Sequence, residues 1–454
     1  MNILELIKIF LTLAKYRVFP KKHIFLKALM HVASVFIFPM SAIRYMTCSQ
    51  GEKIKMALLS MGPVYIKFGQ MLSSCPDVIG VDISNCLKEL QDRLPPFYGV
   101  DEIIERNFGM KTSEVFMKFD YNPIAAASIA QVHSAMTLDC KPVAVKILRP
   151  GIGKIYRKNI SSLKFISGII SRFCSRSRRF KLIEIISILE RNMNCELNLL
   201  IEASNASEMR ENFLLDQTVY VPIVYWDLTT EQILVMEKID GASVYNLEKL
   251  KASGVNINDI ANNLIISFLN QAYRDGFFHA DLHPGNILIK RDGSISFLDF
   301  GITERLMDKD RIAIAEILYK LINEDYLKVA QIHLDAGYIP CNTDLHSFSQ
   351  SLRAIGSKFI NKSTQSVNIG GLLSTLLKVR EEYSMQVQPQ LVMLQKTTLM
   401  VEGICKNINP EINVWEVSKP WVKIWASKNI TKRAKILRVI KNKFNKFIDE
   451  LEAS

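Results

Sequence analysis

The stretch Phe278-His-Ala-Asp-Leu-His-Pro-Gly-Asn286, followed by Leu298-Asp-Phe-Gly301, constrains this chain more than any other feature. Asp281 and Asn286 stand five residues apart on a loop marked by Pro284-Gly285, and Asp299 closes a second short apolar run. Phosphoryl transfer calls for such a trio. One carboxylate accepts or orients the nucleophile's proton, and an amide and a second carboxylate hold Mg2+ on the phosphates. Asp281 is therefore the candidate catalytic residue, and Asn286 and Asp299 are candidate metal ligands. His279-x-Asp281-x-His283 also reads as a metal cluster, but no further His, Asp or Glu stands at a supporting spacing. His279 is better explained as a brace for the loop.

Upstream, Val143-Ala-Val-Lys146 predicts a short strand between Pro142 and Pro150. A lysine in mid-strand must reach an anion. The spacing D-x-x-x-x-N, then D-F-G, is that of the protein-kinase superfamily, where such a lysine neutralises phosphate charge and pairs with a helix glutamate. Glu202 is the candidate partner of Lys146. Glu196 precedes it by six residues, about 120° around a continuous helix, so the two carboxylates should serve different neighbours. Leu234-Val-Met-Glu-Lys238 reads as the strand joining two lobes, with main-chain groups of Glu237 and Lys238 meeting adenine. Ala125, Ala126, Ala127, Ser128 and Ile129 occupy the place of a glycine-rich loop. Their Cβ atoms keep the backbone farther from phosphate than glycine would.

Charge is unevenly placed. The formal net charge is +12, yet residues 418–447 hold ten basic side chains and no acid. Within this segment Ile436, Ile440, Phe444 and Phe447 recur at helical spacing, preceded by Trp421 and Trp425. The pattern is a basic amphipathic helix with aromatic anchors, expected to adhere to anionic membrane lipids at about 1 kcal/mol per charge. Nucleic acid is not expected as a partner, because the aromatics fall on one helix face rather than along a strand's path. The longest charge-free apolar run, Ala28–Ile43, has 16 residues and is short of a membrane span, so it reads as a buried or interfacial helix. No signal-peptide pattern opens the chain, since Lys8 interrupts the first apolar run. Eight cysteines without any C-x-x-C pair exclude most zinc-ribbon and thioredoxin-type folds and fit a reducing compartment. With 48% hydrophobic residues, neither a disordered nor a collagen-like chain is in question.

Several motifs together make the resemblance specific: Lys67-Phe-Gly-Gln70, Ala125-Ala-Ala-Ser128, Glu196 followed by Glu202-Ala203, and the loop ending at Asn286. The chain resembles the UbiB-type atypical kinases, linked to ubiquinone biosynthesis, from roughly residue 55 to 410. The resemblance implies an α+β, two-lobed protein-kinase-like fold with an N-terminal helical extension and, here, the basic tail. The expected division is 1–100 for the extension, 101–240 for the N-lobe, 241–415 for the helical C-lobe and 416–454 for the tail. It also implies ATP (or ADP) with Mg2+ as cofactors, and a regulatory helix over the substrate cleft. On that helix Lys67 and Gln70 share one face, with Lys67 reaching Glu196. Two departures stand out: the family's E-x-D aspartate is Asn198, and its arginine after K-x-G-Q is Cys75.

The expected activity is that of an atypical kinase or ATPase at the cytoplasmic face of the inner membrane, peripheral or monotopic, in a bacterial rather than mitochondrial host. Ala280 replaces the H-R-D arginine, and a helical pattern follows Gly301 almost at once without A-P-E. Lipid-like quinone-pathway intermediates are therefore expected as substrates rather than protein hydroxyls, with other ubiquinone-biosynthesis enzymes as partners. Two alternatives use the same residues. A small-molecule kinase of the aminoglycoside or choline type shares H-x-D-x-H-P-G-N, and a pseudokinase scaffold would bind nucleotide without turnover.

Overall fold

The computed structural model describes residues 3–18, 24–73, 79–90, 95–127, 129–173, 182–360, 383, 385 and 389–429. Ser128, Cys75 and the 430–447 part of the basic tail lie outside the described residues. The chain divides into two compact units, one of residues 1–203 with 224–238, the other of residues 204–223 with 239–454. The fold is mixed α and β, as the sequence predicts.

The first unit is built on an antiparallel sheet. Its strands are β1 (Phe116–Phe119), β2 (Ala125–Ala126), β3 (Ala130–Thr137), β4 (Pro142–Leu148) and β6 (Ile233–Glu237). Their order is β1-β3-β4-β6, with β2 paired to β3. The period-2 alternation of β4 divides its side chains cleanly. Val143, Val145 and Ile147 are buried against Ile103 and Ile104 of the Val100–Phe108 helix. Ala144 and Lys146 point to the opposite face, in register with Met236 and Leu234 of β6. The expected strand at Val143–Lys146 is present in β4, and Leu234–Lys238 is strand as far as Glu237, in β6.

The other described residues of this unit are mostly helical. The Ile24–Ile37 and Pro39–Arg44 helices interrupt the apolar run at Phe38-Pro39. Much of that run is exposed, Phe36 at 80% and Met40 at 84%. Gly62-Pro63 opens the Pro63–Ser73 helix. A Cβ on Gly69 would come within 2.7 Å of Leu58 Cδ1 and would also strike Leu90, which is why the third position of Lys67-Phe-Gly-Gln70 is glycine. The continuous helix expected to carry both Glu196 and Glu202 is instead two helices, Leu182–Glu196 and Leu199–Asn212. At the break, Asn198 Oδ1 accepts from Leu200 N–H at 3.0 Å. Asparagine satisfies an orphan helix N–H as well as aspartate does, so the Asn198 departure keeps the break.

The second unit holds a small sheet ordered β5-β10-β9-β7, from Val219–Tyr220 (β5), Gly241–Ser243 (β7), Ile287–Lys290 (β9) and Ile295–Phe297 (β10). A two-stranded ribbon pairs β8 (Phe277–His279) with β11 (Thr303–Arg305). Around them pack the Ile257–Leu269, Asp308–Ile322, Tyr326–Asp335, Leu345–Ile360, Pro389–Ile408 and Val414–Asn429 helices. Trp421 and Trp425, expected as membrane anchors, are instead docked on this unit. Trp425 is buried and its Nε1–H donates to the Tyr273 carbonyl at 2.9 Å, while Trp421 Nε1–H donates to Asn270 Oδ1 at 2.7 Å. An indole N–H drawn away from water needs a partner, and both find one inside the unit.

Candidate active site

In the first unit two lysines each meet a carboxylate. Lys146 Nζ lies 2.7 Å from Glu202 Oε1, with Glu202 buried in the first turn of its helix. Lys67 Nζ lies 2.9 Å from Glu196 Oε1 at the end of the preceding helix. The break at Asn198, rather than a 120° turn of one helix, sends the two glutamates to separate lysines. Gln70, on the same helix as Lys67, donates to the Leu90 carbonyl at 3.1 Å and so ties that helix to the next segment.

Ala125 and Ala126 form a hairpin with Gln131 and Val132 of β3. Ala127 N–H donates to the Ala130 carbonyl at 2.8 Å, and Arg149 donates to the Ala127 carbonyl. Ile129 is buried and its carbonyl takes the Arg149 N–H. The alanine segment is thus a tied hairpin, with the Ala127 amide and carbonyl already committed. Of the Lys238 groups expected to meet adenine, one is engaged within the unit. The Lys238 main-chain N–H donates to the Pro142 carbonyl at 3.1 Å and its ammonium to Ser134 Oγ at 2.8 Å. Antiparallel alternation turns the main-chain groups of the neighbouring Glu237 away from β4.

The second unit carries the loop. The Ile257–Leu269 helix runs into a π-helical turn, Asn270–Asp275, closed by Gly276 at φ +70°. This turn buries Gln271, whose Oε1 accepts the His279 N–H at 3.0 Å. His279 is 1% exposed, and its Nδ1 accepts the Asp281 N–H at 3.1 Å. Burial holds its imidazole below the ordinary value, which keeps Nδ1 an acceptor at neutral pH. The β8–β11 ladder continues as Ala280 N–H to the Ile302 carbonyl, and Ala280 is fully buried.

His283 Nδ1 accepts from Gly285 N–H at 3.1 Å, shaping the Pro284–Asn286 turn. Asn286 Nδ2 donates to the Asp281 carbonyl at 3.2 Å. The register Ile287↔Phe297 puts residues 286 and 298 opposite each other, and Leu298 N–H donates to the Asn286 carbonyl at 3.1 Å. Asn286 and Asp299 therefore leave the same end of the β9–β10 hairpin. Asp299 Oδ1 accepts Gly301 N–H at 3.0 Å, and Asn205 holds the Phe300 carbonyl. Among the described residues no group of three or more His, Cys, Asp or Glu is placed to hold a metal. One amide and one carboxylate oxygen nevertheless suit Mg2+, which takes few protein oxygens and fills its shell with phosphate and water.

One residue went unnoticed in the sequence. Lys396, from the Pro389–Ile408 helix, places Nζ 3.1 Å from Asp281 Oδ1. Nothing in local spacing announces a pairing across 115 residues.

The lysine–glutamate pair on an antiparallel sheet and the D-x-x-x-x-N loop with its D-F-G turn belong to one class, the protein-kinase-like proteins. Comparison with known proteins specifies it further. Residues 89–333 match the ABC1 atypical kinase-like domain, and residues 352–413 match the UbiB helical domain. The chain is 36% identical over 388 residues to a probable protein kinase UbiB of Marinobacter nauticus, covering 84% of this chain and 71% of that one. It is 37% identical over 388 residues to the counterpart from Azotobacter vinelandii, covering 84% and 72%. A solved structure of Rv3197 with erythromycin, from Mycobacterium tuberculosis, shares the fold at TM-score 0.53 and 20% identity, covering 86% of this chain and 97% of that one. This chain belongs to the UbiB family of atypical kinase-like proteins.

Proposed function

We propose that this chain binds MgATP and turns it over, as a kinase or ATPase, in support of ubiquinone biosynthesis at a membrane surface. The observation that carries this reading is the shared exit of Asn286 and Asp299 from one hairpin, with Asn286 tied to the loop of Asp281. Asp299 and Asn286 would hold Mg2+, which would neutralise phosphate charge. Within the second unit Asp281 is the group suited to orient a nucleophile, and within the first Lys146, set by Glu202, is the cation suited to phosphate. The ubiquinone role follows the name of the bacterial relatives.

The acceptor is proposed to be lipid-like. In support, Ala280 is fully buried where a phosphate-sensing arginine would stand, and only a short strand separates Gly301 from the Asp308–Ile322 helix. Little chain remains there to dock a peptide. Membrane contact has its own support in the first unit. Leu4, Ile7, Phe36, Met40 and Ile43 are exposed apolar side chains, with exposed Lys8 and Arg44 next to them in the chain. No described helix is long and apolar enough to cross a membrane. On this reading the protein is peripheral, at the cytoplasmic face, and works beside other enzymes of the pathway.

Purified protein should hydrolyse ATP, faster with anionic than with zwitterionic liposomes, and Asp299→Asn should abolish both turnover and Mg2+-dependent nucleotide binding. A strain lacking the gene should lose quinone and recover it with the wild type but not with Asp299→Asn. Normal quinone levels with that variant would sink the enzymatic reading in favour of a scaffold, and robust labelling of generic protein substrates would sink the lipid-like acceptor.

A further inference from the structure

We propose that Lys396, supplied by the helical domain, is a positioning residue for Asp281: its ammonium holds one carboxylate oxygen and leaves the other to orient the nucleophile. The proposal rests on the nucleotide-turnover reading above and adds a residue to it.

The geometry is direct. Lys396 Nζ meets Asp281 Oδ1 at 3.1 Å, and among the described residues it is the partner of that carboxylate. The lysine is not a chance visitor from a loose surface helix. Leu394, Thr397, Val401, Ile404 and Cys405 of the same helix are all buried, and Cys405 Sγ–H donates to the Ala261 carbonyl of the Ile257–Leu269 helix at 3.5 Å. This anchored face fixes the rotation of the helix, and Lys396 emerges at its edge beside the loop. The catalytic loop offers no cation of its own for the task. Ala280 has no charge, and the Nδ1 of His283 is spent on Gly285 N–H. An anionic triphosphate next to Asp281 would repel its carboxylate, and an ammonium at hydrogen-bond distance offsets that repulsion while fixing the carboxylate's rotation. The two family regions are thereby joined functionally: residues 352–413 supply a charge to a loop carried by residues 89–333.

The test is a double-mutant cycle on full-length protein with liposomes. Lys396→Met should lower the kcat for ATP by about 100-fold while leaving KM within about twofold, because it loosens orientation rather than nucleotide binding. Lys396→Arg, which keeps the charge, should recover most of the loss. In an Asp281→Asn background the same Lys396→Met change should cost less than about threefold, since the two act as a unit. Wild-type kcat in Lys396→Met, no rescue by arginine, or equal losses in both backgrounds would each overturn the proposal. A wild type that binds a fluorescent ATP analogue without turning it over has no nucleophile for Asp281 to orient, and that result also overturns the proposal. A wild type that neither binds nor hydrolyses nucleotide refutes the parent reading, and the role of Lys396 with it.

Discussion

Lys146 Nζ lies 2.7 Å from one carboxylate oxygen of Glu202 and 2.8 Å from the other, so one ammonium bridges both. Glu202 is 3% exposed, and the pair is a desolvated one rather than a surface contact. Removing one member leaves the other charged in a poorly solvated place. Lys146→Met should therefore destabilise the fold by about 3 kcal/mol as well as lowering turnover by about 100-fold. The double variant Lys146→Met/Glu202→Leu should regain most of the stability and none of the activity. Urea unfolding alongside an ATPase assay checks both, and strictly additive stability losses would contradict the pairing.

Gly69 is surrounded by Leu58 and Leu90. Gly69→Ala should force those leucines aside and cost about 1–3 kcal/mol, the usual penalty of overpacking. The Lys67–Glu196 pair is carried on the same helix, so its loss should follow. Trimming Leu58 to Ala in the same chain should relieve part of the penalty. A thermal melt of the three variants decides, and an unshifted Gly69→Ala would show that the close approach is not real.

His333 is buried among Tyr338 and Phe348, with Nδ1 on the Val329 carbonyl at 2.8 Å. Burial pushes its imidazole down to about 4. The unfolded chain, at about 6.5, takes up the proton first as pH falls. Stability from neutral His333 is therefore complete above about pH 6.5 and is lost between there and about pH 4, on the order of 3 kcal/mol in all. Melts at pH 7 and pH 4.5 should show a smaller drop for His333→Gln than for the wild type.

Trp425 fills a buried position and keeps its indole N–H on Tyr273. Trp425→Ala should cost about 3–5 kcal/mol, a loss typical of a truncated core tryptophan. Fluorescence-monitored unfolding without any lipid present measures it. A variant as stable as the wild type, but defective only in liposome binding, would restore the membrane-anchor reading.

Much of the candidate site could be read from the chain because its chemistry is local. Asp281, Asn286 and Asp299 are related by one loop and one hairpin, whose turn signals fix their spacing. Lys146 stood out as a charge in an apolar strand, and its partner Glu202 was named through the resemblance to kinases. The β8–β11 ribbon and the β2–β3 hairpin escaped notice, being two or three residues long and lacking a period to detect.

The amino-acid sequence by itself determined the family, the kinase-like class and the residue types the chemistry needs, since these rest on short-range spacing and side-chain chemistry. Only the tertiary structure decided which groups remain available and which are already taken. It put Lys396 on Asp281, committed the Lys238 N–H to Pro142, split a helix at Asn198 and buried Trp425. Each of these depends on packing between segments far apart in the chain, where hydrogen bonds and burial are settled by neighbours that no local pattern specifies.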